Sequence, residues 1–215
     1  MSDLTLYIGN KNYSSWSLRP WIGLKVKDIA FEEKLVPFDM AAGNPEFKKF
    51  SPTGKVPVLI DGDLVIAESL AILDHVARKY PDANLWPSDN DAKSLAMSIS
   101  VEMVGGFPSL RGQCHMNMRR PIKKMEQDEG LCKDVKRVET IWTDCLTKSG
   151  GPFLFGEFSI ADAMYAPVVN RFEVYELSTD PVCLDYMKQI KELAAWQEWE
   201  EAGKQEPWIV EEDEA

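Results

Sequence analysis

Apolar residues alternate with others through Leu4-Thr5-Leu6-Tyr7-Ile8, the period of a half-buried strand. The period then lengthens. Leu18, Trp21, Ile22 and Val26 share one face of a predicted helix over residues 15–27, in which Pro20 is expected to sit in the first turn, where its missing N–H is harmless. A strand over 31–36 and a short irregular or helical piece over 45–50 follow. Val56-Pro57-Val58-Leu59-Ile60, the turn Asp61-Gly62-Asp63 and Leu64-Val65-Ile66 predict a β-hairpin. A helix over 69–80 comes next, with Leu70, Leu73, Val76, Ala77 and Tyr80 at helical spacing.

That order, βαβ and then ββα, is that of a compact α/β domain of thioredoxin type, assigned to residues 1–80. Residues 81–87 carry two prolines with an aspartate and an asparagine, and form the expected linker to a wholly helical domain over 88–215. In that domain one helix is predicted over 91–118, bent at Gly105-Gly106 or Pro108. A second over 121–148 repeats Leu131, Val135, Val138, Trp142 and Cys145 at steps of four, three, four and three, which is a core-packing seam. A third starts at Ser159, and shorter helices lie between Pro181 and Gly203. The predicted fold class is therefore an α/β thioredoxin-like N-terminal domain followed by an all-α C-terminal domain.

Composition narrows the partners. The formal charge of −11 falls entirely on residues 81–215, which carry fourteen basic and twenty-five acidic residues, whereas residues 1–80 carry ten of each. A nucleic-acid or anionic-membrane partner needs a basic face to displace counterions, so neither is expected. The run Glu211-Glu212-Asp213-Glu214 reads as a solvated, poorly ordered end. Met1-Ser2-Asp3 lacks the pattern of a secretory signal, which predicts a cytoplasmic protein. The four cysteines are scattered and form no CxxC pair, and there are two histidines, so no metal site is expected.

Candidate chemistry gathers in the first domain. Tyr13-Ser14-Ser15-Trp16-Ser17-Leu18-Arg19-Pro20 brings three serines to a helix start, where unpaired N–H groups and the peptide dipole favour an anion such as a thiolate. One serine suffices for a cap. In Lys55-Val56-Pro57 the proline opens a strand. If its peptide bond is cis, the Val56 backbone turns outward, available to a peptide-like ligand; an ordinary trans edge proline is the alternative. Glu68-Ser69 stands at the next helix start, where Ser69 caps the helix or receives a ligand carboxylate and Glu68 meets a ligand ammonium. Together the three sites describe a ligand with an amino-acid head, a peptide middle and an anionic sulfur or oxygen, as in glutathione.

On these residues the sequence resembles the cytosolic glutathione transferases over essentially its whole length. Tyr13 to Arg19 is similar to the serine motif of zeta-class and related bacterial members, with Trp16 where the class has cysteine. Val56-Pro57 matches the family's cis-proline site, and Glu68-Ser69 its γ-glutamyl-binding pair, where the zeta class more often has glutamine before the serine. The resemblance implies that glutathione is co-substrate, that Ser14 or Ser15 stabilises its thiolate, and that Ser17, Lys55, Val56, Pro57, Glu68 and Ser69 help to bind it. It also implies a homodimer and a role in detoxification. Phe155 to Asp162 matches a folding element of the family, in which Ser159 and Asp162 form a capping box and take no part in catalysis.

A small-molecule electrophile is expected between the domains, beside Met103, Phe107, Leu110 and Arg111 on the first helix of the second domain. Most Met and Phe at such spacing are simply core. Arg171 resembles an arginine that zeta-class members place near a substrate carboxylate; an ion pair with Glu173 or Glu176 is the alternative. The function implied is transfer of glutathione to that electrophile. Alternatives are a zeta-like glutathione-dependent cis–trans isomerisation of the maleylacetoacetate type, and a transferase-like binding module without catalysis.

Overall fold

A computed structural model describes residues 4–214; the reading of Met1-Ser2-Asp3 lies outside them. The first part of the chain forms β1 (Leu4–Ile8), α1 (Ser15–Val26), β2 (Glu32–Leu35), a 3-10 turn (Pro45–Lys49), β3 (Val58–Asp61), β4 (Leu64–Ala67) and α2 (Ser69–Lys79). Its sheet has the order β2-β1-β3-β4, parallel between β1 and β2 and antiparallel elsewhere, with Tyr7 opposite Val58 and Asp61 opposite Leu64. The alternation along β1 buries Leu4, Leu6 and Ile8 completely.

The rest is helical: α3 (Asn90–Gly105), α4 (Pro108–Gln113), α5 (Glu129–Ser149), α6 (Ile160–Val174), α7 (Pro181–Lys191), α8 (Ala194–Gln205) and α9 (Glu211–Glu214). None of the described helices is long and apolar enough to cross a membrane. Helix α1 is buried on nearly all sides because it packs against both α2 and α6. Gly23 permits this approach, since a Cβ there would stand 2.6 Å from Leu73 Cδ2 and 3.6 Å from Ala163 Cβ. One apolar core consequently runs from Leu6 and Trp21 through to Trp142 and Tyr165. Residues 81–87 join that core through buried Leu85 and Trp86, and the Leu85 carbonyl accepts the Ile160 N–H at 2.8 Å.

The capping box forms as expected: Asp162 Oδ2 accepts both the N–H and the hydroxyl of Ser159 at 2.9 Å, and Oδ1 accepts Leu154 N–H and the Tyr186 hydroxyl at 3.0 Å. Several expectations are corrected. The helix placed over 91–118 is broken, because Gly106 is extended and Phe107 adopts φ 59° before Pro108 starts α4. The helix placed over 121–148 begins only at Glu129, because Lys123 and Met125 donate their N–H groups to the Val174 and Tyr175 carbonyls at 2.8 and 3.0 Å. Pro20 lies beyond the first turn of α1. The carbonyl it leaves without an N–H, that of Trp16, accepts the Ser69 hydroxyl at 2.7 Å instead.

The acidic C-terminal run is not a loose end. Glu211–Glu214 makes a helical turn held by side chains from other elements: Asp213 meets His115, Glu214 accepts the Tyr13 hydroxyl, and Arg120 donates to the Glu214 carbonyl at 3.3 Å. Arg119 braces the same segment through the Glu206 and Trp208 carbonyls at 2.5 and 2.9 Å and the Tyr13 hydroxyl at 2.6 Å.

Candidate active site at the start of helix α1

The loop delivering the serines is held from three directions. Glu206 takes the backbone N–H groups of Lys11 and Asn12 on its two carboxylate oxygens at 2.6 and 3.1 Å, Asn10 Oδ1 accepts Phe38 N–H at 2.8 Å, and Asn12 Oδ1 accepts Arg119 N–H at 3.0 Å. Burial raises the Glu206 carboxyl above the usual range, against the pull of those two N–H groups. These supports escaped the sequence reading. Their only local signal is the turn-forming Asn10-Lys11-Asn12, because the partner carboxylate lies almost two hundred residues away.

The three serines do different work. Ser14 is the N-cap of α1: its hydroxyl donates to Ser17 Oγ at 2.7 Å and accepts the Ser17 N–H at 3.4 Å. Ser17 is fully buried and accepts Gly9 N–H at 3.1 Å, so it ties α1 to the end of β1 and stays away from the cavities, contrary to its expected place among ligand-binding residues. Ser15 is the first helical residue, and among the described residues no protein group hydrogen-bonds its hydroxyl. Ser15 also faces two cavities.

Those cavities adjoin a third around Trp16. One of about 300 Å³ is lined by Ser14, Ser15, Phe38, Phe47, Val56 and Val210, with Glu212 and Asp213 of the C-terminal turn at its side. Another, of about 210 Å³, lies between Trp16 and the group Lys55, Val56, Pro57, Glu68 and Ser69. The last, of about 500 Å³, is bordered by Ser15, Trp16, Gly105, Gly106, Arg111 and Arg171. The predicted N-domain residues, Ser17 apart, thus converge on one region.

The Val56-Pro57 bond is cis, and among the described residues neither the Val56 N–H nor its C=O has a protein partner. Lys55 is exposed, its backbone held by Ser51 Oγ through bonds of 3.0 and 2.6 Å. Glu68 is the N-cap of α2 with φ 71°, a conformation L-residues rarely adopt, and its carboxylate makes no cap bond. Of the two expectations for Ser69, a cap on α2 or a receiver of a ligand carboxylate, the first is not met. Ser69 is instead the first helical residue, and its hydroxyl crosses to the Trp16 carbonyl.

The second-domain expectations divide. Met103, Phe107 and Leu110 are core residues, at most 4% exposed, with Phe107 set edge-to-face against Tyr165, and they do not line the cavities. Arg111 does line them. Its Nη1 donates to the Val104 and Gly106 carbonyls at 2.9 and 3.3 Å. Arg171 is buried and pairs with neither Glu173 nor Glu176; its Nη1 donates to the Cys114, Leu110 and Arg111 carbonyls at 2.6, 3.3 and 3.3 Å. Sequence reasoning missed a third cation, Arg19, which is fully enclosed and donates to Met164 and Ser15 carbonyls at 2.9 and 3.1 Å. Burial, then repulsion from Arg171 and Arg111, holds Arg19 well below its ordinary pKa, and burial above all lowers Arg171 to about 10. Among the described residues no carboxylate pairs with any of the three, and no cluster of His, Cys, Asp or Glu is suited to a metal ion.

Comparison with known proteins identifies the family and the fold. Family models described as the glutathione S-transferase N-terminal domain and C-terminal domain match residues 13–79 and 127–202. A zeta-class glutathione S-transferase of Euphorbia esula is 40% identical over 193 residues, covering 86% of this chain and 84% of that one. A probable maleylacetoacetate isomerase of Caenorhabditis elegans is 25% identical over 184 residues, 82% of each chain. In three dimensions, a Burkholderia glutathione transferase homolog solved with bound glutathione superposes with a TM-score of 0.71 over 95% of this chain and 99% of that one; at 21% identity this likeness shows the fold. With a thioredoxin-like domain joined to an all-helical one and a relative this similar across most of both sequences, the chain belongs to the glutathione S-transferase family.

Proposed function

We propose that the enzyme takes glutathione as co-substrate, holds it as the thiolate with the Ser15 hydroxyl, and adds it to a small electrophile carrying a carboxylate. One observation carries the reading: polar groups without protein partners, the Ser15 hydroxyl and the Val56 N–H and C=O, face linked cavities at the start of α1. A ligand backbone running antiparallel to Val56 would meet both of its groups, as an added strand does. Its amino-acid head would fall at Glu68 and the α2 N-terminus, ammonium to the Glu68 carboxylate and carboxylate to the helix N–H groups. The sulfur would then meet Ser15 and the unpaired N–H groups of α1. A free thiol has a pKa of about 8.5, and a helix N-terminus with a donated hydrogen bond lowers it, so more thiolate is present near neutrality. The serine is an electrostatic stabiliser and forms no bond to carbon.

Calorimetry with glutathione tests the reading: binding below millimolar concentration is expected, and none at millimolar concentration would refute it. The ultraviolet absorbance of the bound thiolate against pH then identifies the serine. Ser15→Ala should move the midpoint back toward the free value, while Ser14→Ala should leave it nearly in place.

Arg111 and Arg171, cations without carboxylate partners beside the third cavity, favour an anionic electrophile, and this supports the zeta-like isomerase as second reading. There glutathione adds to a conjugated double bond, the resulting single bond rotates, and the thiolate departs. Turnover of maleylacetoacetate compared with conjugation of a chlorinated aromatic separates the two. Exposed Leu64 and Val65 on edge strand β4, with Leu95 and Val101 on α3, offer apolar surface for the homodimer that belongs to this proposal. Sedimentation tests it, and Leu64→Glu with Val101→Glu should yield monomers. Cytoplasmic residence is part of the same proposal.

A further inference from the structure

Three guanidinium groups approach one another, those of Arg111 and Arg171 bordering the third cavity and that of Arg19 enclosed behind them, with carbonyls as their only hydrogen-bond partners among the described residues. Carbonyl dipoles satisfy N–H groups without cancelling net charge, so mutual repulsion remains. A counter-carboxylate would relieve it, yet would also neutralise the pocket. The chain uses an aromatic ring. The Arg19 guanidinium carbon lies over the Trp16 ring at 4.1 Å from its centroid, and that of Arg111 at 5.1 Å. The negative face of an indole attracts a cation at this range and brings no formal charge. Trp16 is also the one side chain common to all three cavities, and the bond from Ser69 to its carbonyl fixes its backbone.

We propose that Trp16 is a positioning residue that sets electrophile specificity: its indole holds Arg111 at the pocket wall and stabilises two unpaired guanidiniums without neutralising them, which keeps the pocket receptive to a carboxylate. The step rests on the transferase reading above only for the identity of the thiol. The anion preference itself is a property of the free protein. Small side chains in place of Trp16 would release Arg111 toward solvent and join the cavities. Phenylalanine would keep a weaker stack.

The test pairs two electrophiles of the same chemistry, a chlorodinitrobenzene and its carboxylated analogue, with calorimetry of succinate in the absence of glutathione. In Trp16→Leu the KM for the carboxylated electrophile and the Kd for succinate should each rise about tenfold. Because Trp16 also borders the proposed glutathione cavity, any shift in glutathione affinity should be shared by both electrophiles, and the KM for the neutral one should rise less than that for the carboxylated one. Trp16→Phe should recover most of the loss, which a merely structural role would not tie to ligand charge. Equal effects on both electrophiles, unchanged succinate affinity in Trp16→Leu, or no succinate binding by the wild-type protein would each overturn the proposal. A wild-type protein that binds succinate in a Trp16-dependent way and yet fails to bind glutathione would refute the transferase reading and leave the role of Trp16 standing.

Discussion

Helices α1 and α6 both begin at a buried serine, and the contrast between their first turns separates a folding element from a site. At α6 the carboxylate of Asp162, three residues after the cap, accepts four hydrogen bonds, including the N–H and the hydroxyl of Ser159. At α1 the same position holds Ser17, the first turn has no acidic residue, and the neighbouring Ser15 hydroxyl has no protein partner among the described residues. A helix start attracts negative charge in either place. In α6 the protein supplies that charge itself; in α1 the place is left for a ligand.

The largest effect expected from breaking this contrast is on the closed side. Asp162→Ala strands four buried donors at once, and a loss of about 4 kcal/mol of stability is expected by urea unfolding. The fraction that remains folded should keep the thiol pKa of the wild-type protein, because α1 is untouched. A changed thiol pKa would mean that the two helix starts are not independent. On the open side the effects invert. Ser15→Ala removes one donor to a charged sulfur, worth about 1.5–3 kcal/mol, and so should raise the bound thiol pKa by one to two units. The thiolate fraction at neutral pH falls as that pKa rises above 7, so kcat/KM should drop roughly tenfold to a hundredfold, most steeply at low pH. Its unfolding midpoint should hardly move.

Much of this contrast was legible in the sequence, and the rest was hidden for reasons of range. The strand alternation of β1, the Asp61-Gly62-Asp63 turn and the Ser159–Asp162 spacing are local patterns, and each produced the element expected of it. Val56 and Glu68, which border the proposed glutathione site, also stood out in the sequence, since proline and a helix start constrain their own neighbours. Met103, Phe107 and Leu110 were misplaced because periodicity marks an apolar face and does not say what covers it; here the core covers it. Glu206 and the docking of Asp213 and Glu214 were invisible for another reason. Their partners Lys11, Asn12, His115 and Tyr13 lie about a hundred to two hundred residues away, a distance over which pattern carries no information.

Smaller effects sharpen the division of labour within α1. Ser14→Ala removes the cap bond and should cost about 1 kcal/mol of stability, with little change in thiol pKa. A comparable shift in thiol pKa for Ser14→Ala and Ser15→Ala would show that the two hydroxyls act as one relay rather than as cap and ligand.

The smallest effect expected concerns the carbonyl of Trp16. Pro20 has no N–H to offer it, and Ser69 reaches across from α2 to fill the vacancy, so a proline that weakens one helix ties the start of α2 to the start of α1, the two halves of the proposed site. Ser69→Ala should therefore cost about 0.5–1 kcal/mol, the net worth of an ordinary hydrogen bond. In that background Pro20→Ala supplies the missing N–H within α1 and should return most of the stability. It should not return glutathione affinity if the Ser69 hydroxyl also meets the ligand carboxylate. Recovery of stability and affinity together in the double variant would assign Ser69 to the fold alone, and place it with Ser159 on the closed side of the comparison.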